Sequence, residues 1–233
     1  MKAAGVIIQA RMGSRRFPGK VLRDLCGKPL LLYLVERVTH CRLVDGVVVA
    51  TSTDDSDGPI AAFCETVGVE CHRGALENVA SRFLEVVDRH ENWGGFVRVS
   101  GDSPLLDHRL IERAVGMFRA DPCDLVTNVL VRTFPKGQSV EVVSTDAFRD
   151  AFERMREPED LEHVTRYFYE HRNDFTIRDF RAGSDHGSLQ LSVDTPEDLR
   201  VIEGIVSRMT RPHWSYSLEE ILAMLGEGQG QPG

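Results

Sequence analysis

A run of cations follows the first apolar segment of the chain. Within ten residues that contain no acid lie four cations, Arg11, Arg15, Arg16 and Lys20, although the formal net charge of the whole chain is −8. Glycine and serine residues between them let backbone N–H groups approach a ligand closely, and the cations offer countercharge to phosphate oxygens. The segment therefore predicts a phosphate-binding loop, with a solvated basic loop as the alternative.

The spacing within this loop differs from the common phosphate-binding templates. Gly13 to Lys20 reads GxxxxxGK, which is one residue longer than a P-loop, and Val21 lacks the hydroxyl that binds magnesium there. The sequence also contains no GxGxxG fingerprint after a predicted strand. The loop is therefore predicted to be neither a P-loop nor a dinucleotide-binding turn.

Two aspartates follow predicted strands and are candidate metal ligands. Asp102 comes after a strand over 96–100, and Asp194 comes after one over 189–193. Proteins usually hold Mg²⁺ with one or two carboxylates together with substrate phosphates. The two residues can share an ion only if their strands are near neighbours in the sheet. The alternatives are a turn or N-cap role for Asp102 and a helix cap for Asp194, while Asp107 is expected to cap the helix after Asp102.

Short β-branched runs alternate with amphipathic helical patterns, which predicts βαβ units and an α/β fold with a mostly parallel sheet. Predicted strands cover 4–10, 46–51, 69–72, 96–100, 124–128, 139–143, 175–180 and 189–193. Predicted helices cover 29–41, 59–67, 79–90, 109–118, 145–155, 158–169, 196–208 and 218–225. The basic loop follows the first strand, and ligands of open α/β sheets bind at the carboxyl ends of strands.

The pattern predicts one domain over 1–225, with an inserted lobe at about 125–175 and a disordered tail over 226–233. The chain has 233 residues, with 28 Lys plus Arg against 36 Asp plus Glu, which argues against nucleic-acid polymers and anionic membranes as partners. Five scattered cysteines predict free thiols in a reducing compartment. The apolar N-terminal stretch is too short for a signal or membrane segment, so a cytoplasmic location is expected.

The loop and the residues after it resemble a known family. Residues 7–38, IIQARMGSRRFPGKVLRDLCGKPLLLYLVERV, resemble the opening signature of the cytidylyltransferases that activate sugar acids, which include CMP-Kdo and CMP-sialic acid synthetases. The resemblance is strongest to the branch named after spore coat polysaccharide biosynthesis protein F, with Phe17 where leucine is usual. VDTPEDL at 193–199 is similar to the closing motif of the family, and the resemblance extends to about residue 225.

This resemblance implies a three-layer α/β/α, Rossmann-like nucleotide-diphospho-sugar transferase fold, in which the inserted lobe supports a homodimer. It implies that Asp102 and Asp194 ligate a catalytic Mg²⁺ and that Arg11 and Lys20 act on the phosphates with them. The residues implied to contact CTP are Gln9, Ala10, Arg11, Met12, Gly13, Ser14, Arg15, Lys20, Arg73, Asn78, Arg82 and Ser100. The family often has Gln where this chain has Ser100.

The residues expected to contact the acceptor are mostly basic. LEHVTRY, which holds Glu162, His163 and Arg166, resembles the segment that faces the acceptor in this branch. Arg98, Arg132 and Lys136 are further candidate acceptor contacts. The alternatives are structural roles for these residues and a subunit interface for the loop around Arg132.

These features together predict transfer of CMP from CTP to an acidic acceptor, with release of pyrophosphate. The resemblance makes a keto-deoxy, nonulosonate-type sugar acid of cell-surface polysaccharide biosynthesis the first expectation, and a small phosphonate is the alternative. Two alternative functions of other classes are that of a glycosyltransferase of the same fold and that of a noncatalytic nucleotide-binding regulator. The first would usually carry a DxD pair, whereas residues 101–104 offer a single acid, Asp102.

Overall fold

The computed structural model describes residues 3–229, and its main sheet is built around the apolar run near the N-terminus. In β1 (Ala3–Gln9) the side chains alternate between two faces, with Val6 and Ile8 packed in one core and Ile7 in the other. The other strands of this sheet are β4 (Val47–Ser52), β5 (Glu70–Gly74), β6 (Trp93–Ser100), β7 (Leu125–Thr127), β8 (Glu141–Ser144) and β9 (Ile177–Asp179). A short hairpin, β2 (Asp24–Leu25) with β3 (Lys28–Pro29), follows the basic loop.

The strand order is β5-β4-β1-β6-β8-β7-β9. Strands β5, β4, β1 and β6 run parallel, and β8 is antiparallel to both of its neighbours. The parallel strands therefore end at one edge of the sheet, where Gln9 lies opposite both Ala50 and Ser100. This arrangement confirms the predicted α/β fold with a mostly parallel sheet.

Helices cover both faces of the sheet and bury its apolar side chains. One layer contains α1 (Leu30–Thr39), α2 (Gly58–Val67), α4 (His108–Ala120), α8 (Pro196–Val206) and α9 (Leu218–Gln229). The other contains α3 (Val79–Arg89), α5 (Thr145–Arg154), α6 (Pro158–Glu162) and α7 (Arg166–Glu170). Within residues 3–229, none of these helices is long and apolar enough to cross a membrane.

Residues 125–175, predicted to form an inserted lobe, contribute β7 and β8 to the main sheet and α5, α6 and α7 to a helical layer. Leu125, Val143 and Phe148 share a core with Ile7 of β1. The segment therefore shares its sheet and its core with the rest of the described chain, and the division into one domain with an inserted lobe stays a prediction. Helix α9 continues to Gln229, beyond the predicted start of the tail at 226, and residues 230–233 lie outside the described part of the chain. The homodimer stays a prediction.

The strand predicted over 189–193 is wrong. Among the described residues this segment makes a single bridge, between Gln190 and Lys136, it bends at Ser192, and its backbone bonds go to loops. Leu191 N donates to Lys136 O at 2.8 Å and Val193 N donates to Asp102 O at 2.9 Å. Gly137, at φ 91°, permits this contact, because a Cβ there would lie 2.5 Å from Ser192 N.

The single helix predicted over 158–169 is also wrong, because the chain forms two short helices, α6 and α7. The chain leaves the helical conformation at His163, at φ −107° and ψ 45°, and re-enters it at Arg166. Val164, within the interruption, and Phe168 of α7 are both buried in the core that contains Ile7 of β1 and Phe96 of β6.

Candidate active site

A large cleft opens at the edge of the sheet where the parallel strands end. Its volume is about 1210 Å³, and residues from β1, β6, the basic loop and α6 line it. A smaller pocket of about 200 Å³ adjoins it, and the two share Ser100 and Asp102. Asp102 therefore lies at the boundary between a large and a small compartment.

The basic loop is held in a compact turn. Met12 O accepts hydrogen bonds from Ser14 N and Gly19 N, each at 2.9 Å. Gly19 adopts the left-handed conformation, at φ 71°, and precedes the 3₁₀ turn that begins at Lys20. The turn directs Arg11, Ser14, Arg15 and Lys20 toward the cleft, which they line.

Asp57 anchors this loop to the neighbouring strand, and the sequence interpretation missed it. Its side chain is 1% exposed, and its carboxylate accepts from Met12 N at 2.6 Å and from Ser52 N at 3.2 Å. The Ser52 hydroxyl also donates to Asp57 Oδ2, and no motif in the sequence reveals these contacts. The available signal was the acid-rich stretch after β4, which contains Asp54, Asp55 and Asp57.

Four charged side chains, two cations and two carboxylates, converge at the floor of the cleft. Lys20 Nζ lies 2.7 Å from Asp102 Oδ2 and 2.8 Å from Asp194 Oδ1. Arg16 Nη2 lies 3.1 Å from the same Asp194 oxygen. The two aspartates therefore reach one point, although Asp194 follows an extended segment and no strand of the sheet.

The structure also decides whether these aspartates are helix caps. The N-cap of α8 is Thr195, whose side chain accepts from Asp198 N, while Asp198 bonds back to the Thr195 backbone in a capping box. Asp107 caps α4, as predicted. Asp102 and Asp194 are thus both free of capping roles and face the cleft.

The charged groups around Asp194 lower its pKa. Burial alone would raise the pKa of Asp194, but hydrogen bonds and charge from Lys20 and Arg16 outweigh burial and hold that pKa below its ordinary value. Asp194 is therefore ionised at neutral pH and carries a full negative charge next to Lys20.

Arg82 is fully buried on α3, and none of its three side-chain nitrogens has a hydrogen-bond partner among the described residues. Burial lowers the pKa of Arg82, and the negative charge of Asp57 opposes that effect. A buried guanidinium without partners is costly, since its lost hydration is not replaced. Such a group is suited to bind an anionic or hydrogen-bond-accepting ligand that reaches it.

Arg98 lies in the smaller pocket and belongs to a network across the sheet. Its guanidinium lies 2.7 Å from Glu141 Oε2 and 3.3 Å from Gln9 Oε1. Tyr169 donates to the other Glu141 oxygen at 2.5 Å, and burial together with Glu141 raises the pKa of Tyr169. Glu141 and Tyr169 therefore fix the orientation of Arg98 between the two compartments.

The structure brings together most of the residues that the sequence singled out, though not all of them. The predicted residues that line the large cleft are Gln9, Ala10, Arg11, Gly13, Ser14, Arg15, Lys20, Asn78, Ser100, Asp102, Glu162 and Asp194. The predicted residues that line the small pocket are Arg98, Ser100, Asp102, Arg132 and Lys136.

Five predicted residues line neither compartment, and one of them is Arg82, which is fully buried on α3. Arg73 donates to the carbonyls of Ser52 and Asp54, and Met12 contributes backbone bonds to the turn. Arg166 forms ion pairs with Asp160 and Glu170, each at 2.7 Å, and His163 is exposed and lines neither compartment. The acceptor contacts of Arg166 and His163 stay predictions, and the ion pairs of Arg166 lie within α6 and α7.

The chain matches known proteins over almost its whole length. Residues 5–223 match the family described as cytidylyltransferase. The chain is 32% identical over 228 residues to spore coat polysaccharide biosynthesis protein SpsF of Bacillus subtilis (strain 168), a match that covers 94% of this chain and 92% of that protein. The family match and this coverage confirm the resemblance inferred from the sequence motifs.

Solved structures share the fold. A cytidylyltransferase from Leptospira borgpetersenii serovar Hardjo-bovis (strain JB197) is 26% identical, with a TM-score of 0.92 over 100% of this chain and 99% of that one. A CMP:2-keto-3-deoxy-manno-octonic acid synthetase complexed with CTP is 22% identical, with a TM-score of 0.68 over 88% of this chain and 99% of that one. The chain therefore belongs to the cytidylyltransferase family of nucleotidyltransferases.

Proposed function

We propose that this chain transfers CMP from CTP to a small acidic acceptor and releases pyrophosphate. The observation that carries the proposal is the convergence of Lys20, Asp102 and Asp194 at the floor of a basic cleft that continues into a second, cationic pocket. Family membership supports nucleotidyl transfer, and the fold shared with a synthetase complexed with CTP supports CTP as the donor.

In this proposal the basic loop binds the triphosphate. The Gly13 backbone N–H and the Ser14 hydroxyl donate to phosphate oxygens, while Arg11 and Arg15 supply countercharge. The unpartnered guanidinium of Arg82 binds the base or the ribose, which would satisfy its buried donors.

An oxygen of the acceptor then attacks the α-phosphorus of CTP in line. The new oxygen–phosphorus bond forms as the bond to the bridging oxygen of pyrophosphate breaks, and a proton on the attacking oxygen passes to solvent. Lys20 and Arg16 stabilise the negative charge that accumulates on the departing pyrophosphate. Rate enhancement here comes mainly from positioning and electrostatic stabilisation.

The residues present fit Mg²⁺. Asp102 and Asp194 both lie within 2.8 Å of one atom, Lys20 Nζ, and both offer the oxygen donors that Mg²⁺ prefers. The two carboxylates would hold the ion, and the bound ion would neutralise charge on the α-phosphate. Arg98 and the loop that contains Arg132 and Lys136 would orient the acceptor beside Asp102.

A keto-deoxy sugar acid is the first candidate acceptor, because SpsF and the synthetase complexed with CTP are named for polysaccharide biosynthesis and for a keto-deoxy acid. A small phosphonate is the second candidate. The modest volume of the pocket, about 200 Å³, favours a compact acceptor, and Arg132 and Lys136 offer it positive charge beside Arg98, whose charge Glu141 balances.

A pyrophosphate-release assay tests the proposal with ATP, CTP, GTP and UTP against a panel of keto-deoxy sugar acids and phosphonates. We expect release with CTP that depends on one of these acids. Transfer of a sugar from a preformed nucleotide sugar, without pyrophosphate release, would instead indicate a glycosyltransferase. Binding of CTP without turnover on any acid would favour a noncatalytic regulator.

A further inference from the structure

The cation between Asp102 and Asp194 in this structure belongs to the chain itself. Lys20 Nζ lies within 2.8 Å of both carboxylates, and Arg16 adds a second cation at 3.1 Å from Asp194. Two carboxylates therefore face two cations of the chain itself. No group of three or more His, Cys, Asp or Glu side chains elsewhere in the described chain offers an alternative metal site.

Lys20 is held firmly in this place, whereas Arg16 is not. The Lys20 side chain is 10% exposed and that of Arg16 is 66% exposed. The Lys20 backbone is bonded on both sides, with its N–H donating to Phe17 O and its carbonyl accepting from Arg23 N, each at 3.2 Å. A buried lysine is rare unless its charge is paired, and the pairing with Asp102 and Asp194 accounts for its burial.

We propose that Lys20 takes the place of the divalent cation in the nucleotide-free enzyme, so that the metal enters with CTP and not before it. A dication that approached the carboxylates alone would meet the repulsion of a fixed ammonium group and would compete with it for the same oxygens. A triphosphate changes this balance, because its oxygens offer Lys20 more negative charge than the two aspartates do. Once Lys20 moves to the phosphates, both carboxylates are free for the metal.

The inference rests on the proposed function in taking CTP as the nucleotide. It adds an order of binding and gives Lys20 a role before any chemistry occurs. Exclusion of metal from the nucleotide-free site follows from the contacts of Lys20 alone.

The first test measures binding of Mn²⁺ in the absence of nucleotide. The concentration of free Mn²⁺ is read from its paramagnetic resonance signal. We expect Lys20→Met and Lys20→Gln to bind Mn²⁺ roughly tenfold or more tightly than wild type. Lys20→Arg should stay close to wild type because it keeps the cation, and Arg16→Met should gain less because Lys20 remains. The gain should disappear in Lys20→Met/Asp194→Asn.

Circular dichroism shows whether each variant is folded. Two neutral replacements of Lys20 are used, so that the test can still be made if one of them does not fold. Equal Mn²⁺ affinity in wild type and in both neutral variants would overturn the inference. A gain that survives in the double variant would also overturn it, because the ion would then bind elsewhere.

The second test is calorimetric titration of CTP in the presence of EDTA. We expect wild type to bind CTP without metal and Lys20→Met to bind it roughly tenfold or more weakly. Metal-free CTP binding that does not depend on Lys20 would contradict the proposed movement of this side chain to the phosphates. If these binding results hold but no acid accepts CMP, the proposed function fails and the inference about Lys20 stands.

Discussion

Asp102 and Asp194 meet through loops, and each contributes one charge to a site that Lys20 and Arg16 balance. Asp102→Asn and Asp194→Asn preserve shape but remove a charged ligand, so we expect each to lower turnover by roughly a hundredfold or more. Steady-state kinetics with saturating Mg²⁺ measure the effect. Glu197→Gln is the matched control, since Glu197 is 71% exposed and pairs only with Arg200 among the described residues. Near-normal turnover of either Asn variant would remove that residue from the reaction.

The substitution Arg82→Met distinguishes a ligand-binding role of this residue from a structural one. Its guanidinium makes no hydrogen bond to the described residues, so Arg82→Met should leave thermal stability unchanged or raised, because a buried charge without partners is removed. CTP affinity should fall by roughly tenfold or more, because the donors to the nucleotide are lost.

Thermal melting and CTP titration of the same preparation measure both effects of Arg82→Met. Arg89→Met, an exposed change on the same helix, is the control and should alter neither quantity. Loss of stability with unchanged CTP affinity would show that Arg82 serves packing alone.

At the residue scale, the sequence could place a charge that follows a strand directly. Asp102 was expected at the carboxyl edge of the sheet on this basis and lines the cleft there, whereas its contact with Lys20 of the basic loop was not predicted. Asp57 and Arg166 could not be assigned in this way, because their partners are fixed by tertiary packing. Asp57 contacts backbone N–H groups, including one 45 residues away, and Arg166 contacts acids on its own pair of helices.

At the scale of elements, the basic loop depends on β4 through Asp57. Asp57→Asn replaces one carboxylate oxygen with an NH₂ group and leaves either Met12 N or Ser52 N without its acceptor. We expect a loss of about 1–3 kcal/mol in the free energy of unfolding and a several-fold rise in the KM for CTP. Urea unfolding and steady-state kinetics measure these quantities.

The neighbouring exposed residue provides the control for Asp57. Asp55→Asn carries the same chemical change at a solvent-exposed position and should affect neither stability nor KM. A loss of stability in Asp57→Asn without any change in the KM for CTP would show that the anchor does not shape the nucleotide site.

Sequence periodicity predicted the buried strands β1, β4 and β6 well, because each has apolar residues on a sheet covered by helices. It failed at 189–193 for a physical reason. Leu191 and Val193 are buried and alternate with polar residues as a strand would, yet their backbone partners are loops around Lys136 and Asp102. The apolar periodicity of a sequence indicates which residues are buried. It does not reveal whether the segment that accepts or donates the backbone hydrogen bonds is a strand.

At the scale of the whole molecule, the C-terminal segment is attached to α1 by a polar cluster. Arg37 donates to the carbonyls of Leu106, His213 and Tyr216, and His213 Nε2 lies 2.6 Å from Glu36 Oε2. Burial lowers the pKa of His213 below 6.5, although the hydrogen bond to Glu36 opposes this effect. The native state therefore favours neutral His213.

This pKa shift predicts a dependence of stability on pH. Below pH 6.5 the unfolded chain takes up a proton that native His213 resists, so the free energy of unfolding should fall as pH falls. His108, whose pKa burial also lowers, acts in the same direction. Each group can contribute at most about 1.4 kcal/mol per pH unit.

Urea unfolding at pH 7.5, 6.5 and 5.5 measures this slope. His213→Gln should make the slope shallower. An identical slope in wild type and His213→Gln would contradict a role for this histidine in acid sensitivity.

The negative total charge of the molecule coexists with a cationic loop beside two carboxylates, a distribution that suits one triphosphate and a metal ion. The most direct test uses CTP labelled at the α-phosphorus, with the acceptor panel and Mg²⁺. We predict that the label moves into a CMP–acceptor conjugate while unlabelled pyrophosphate is released. Label that appears in free CMP alone, or that stays in CTP with every acid, would contradict transfer of CMP by this chain.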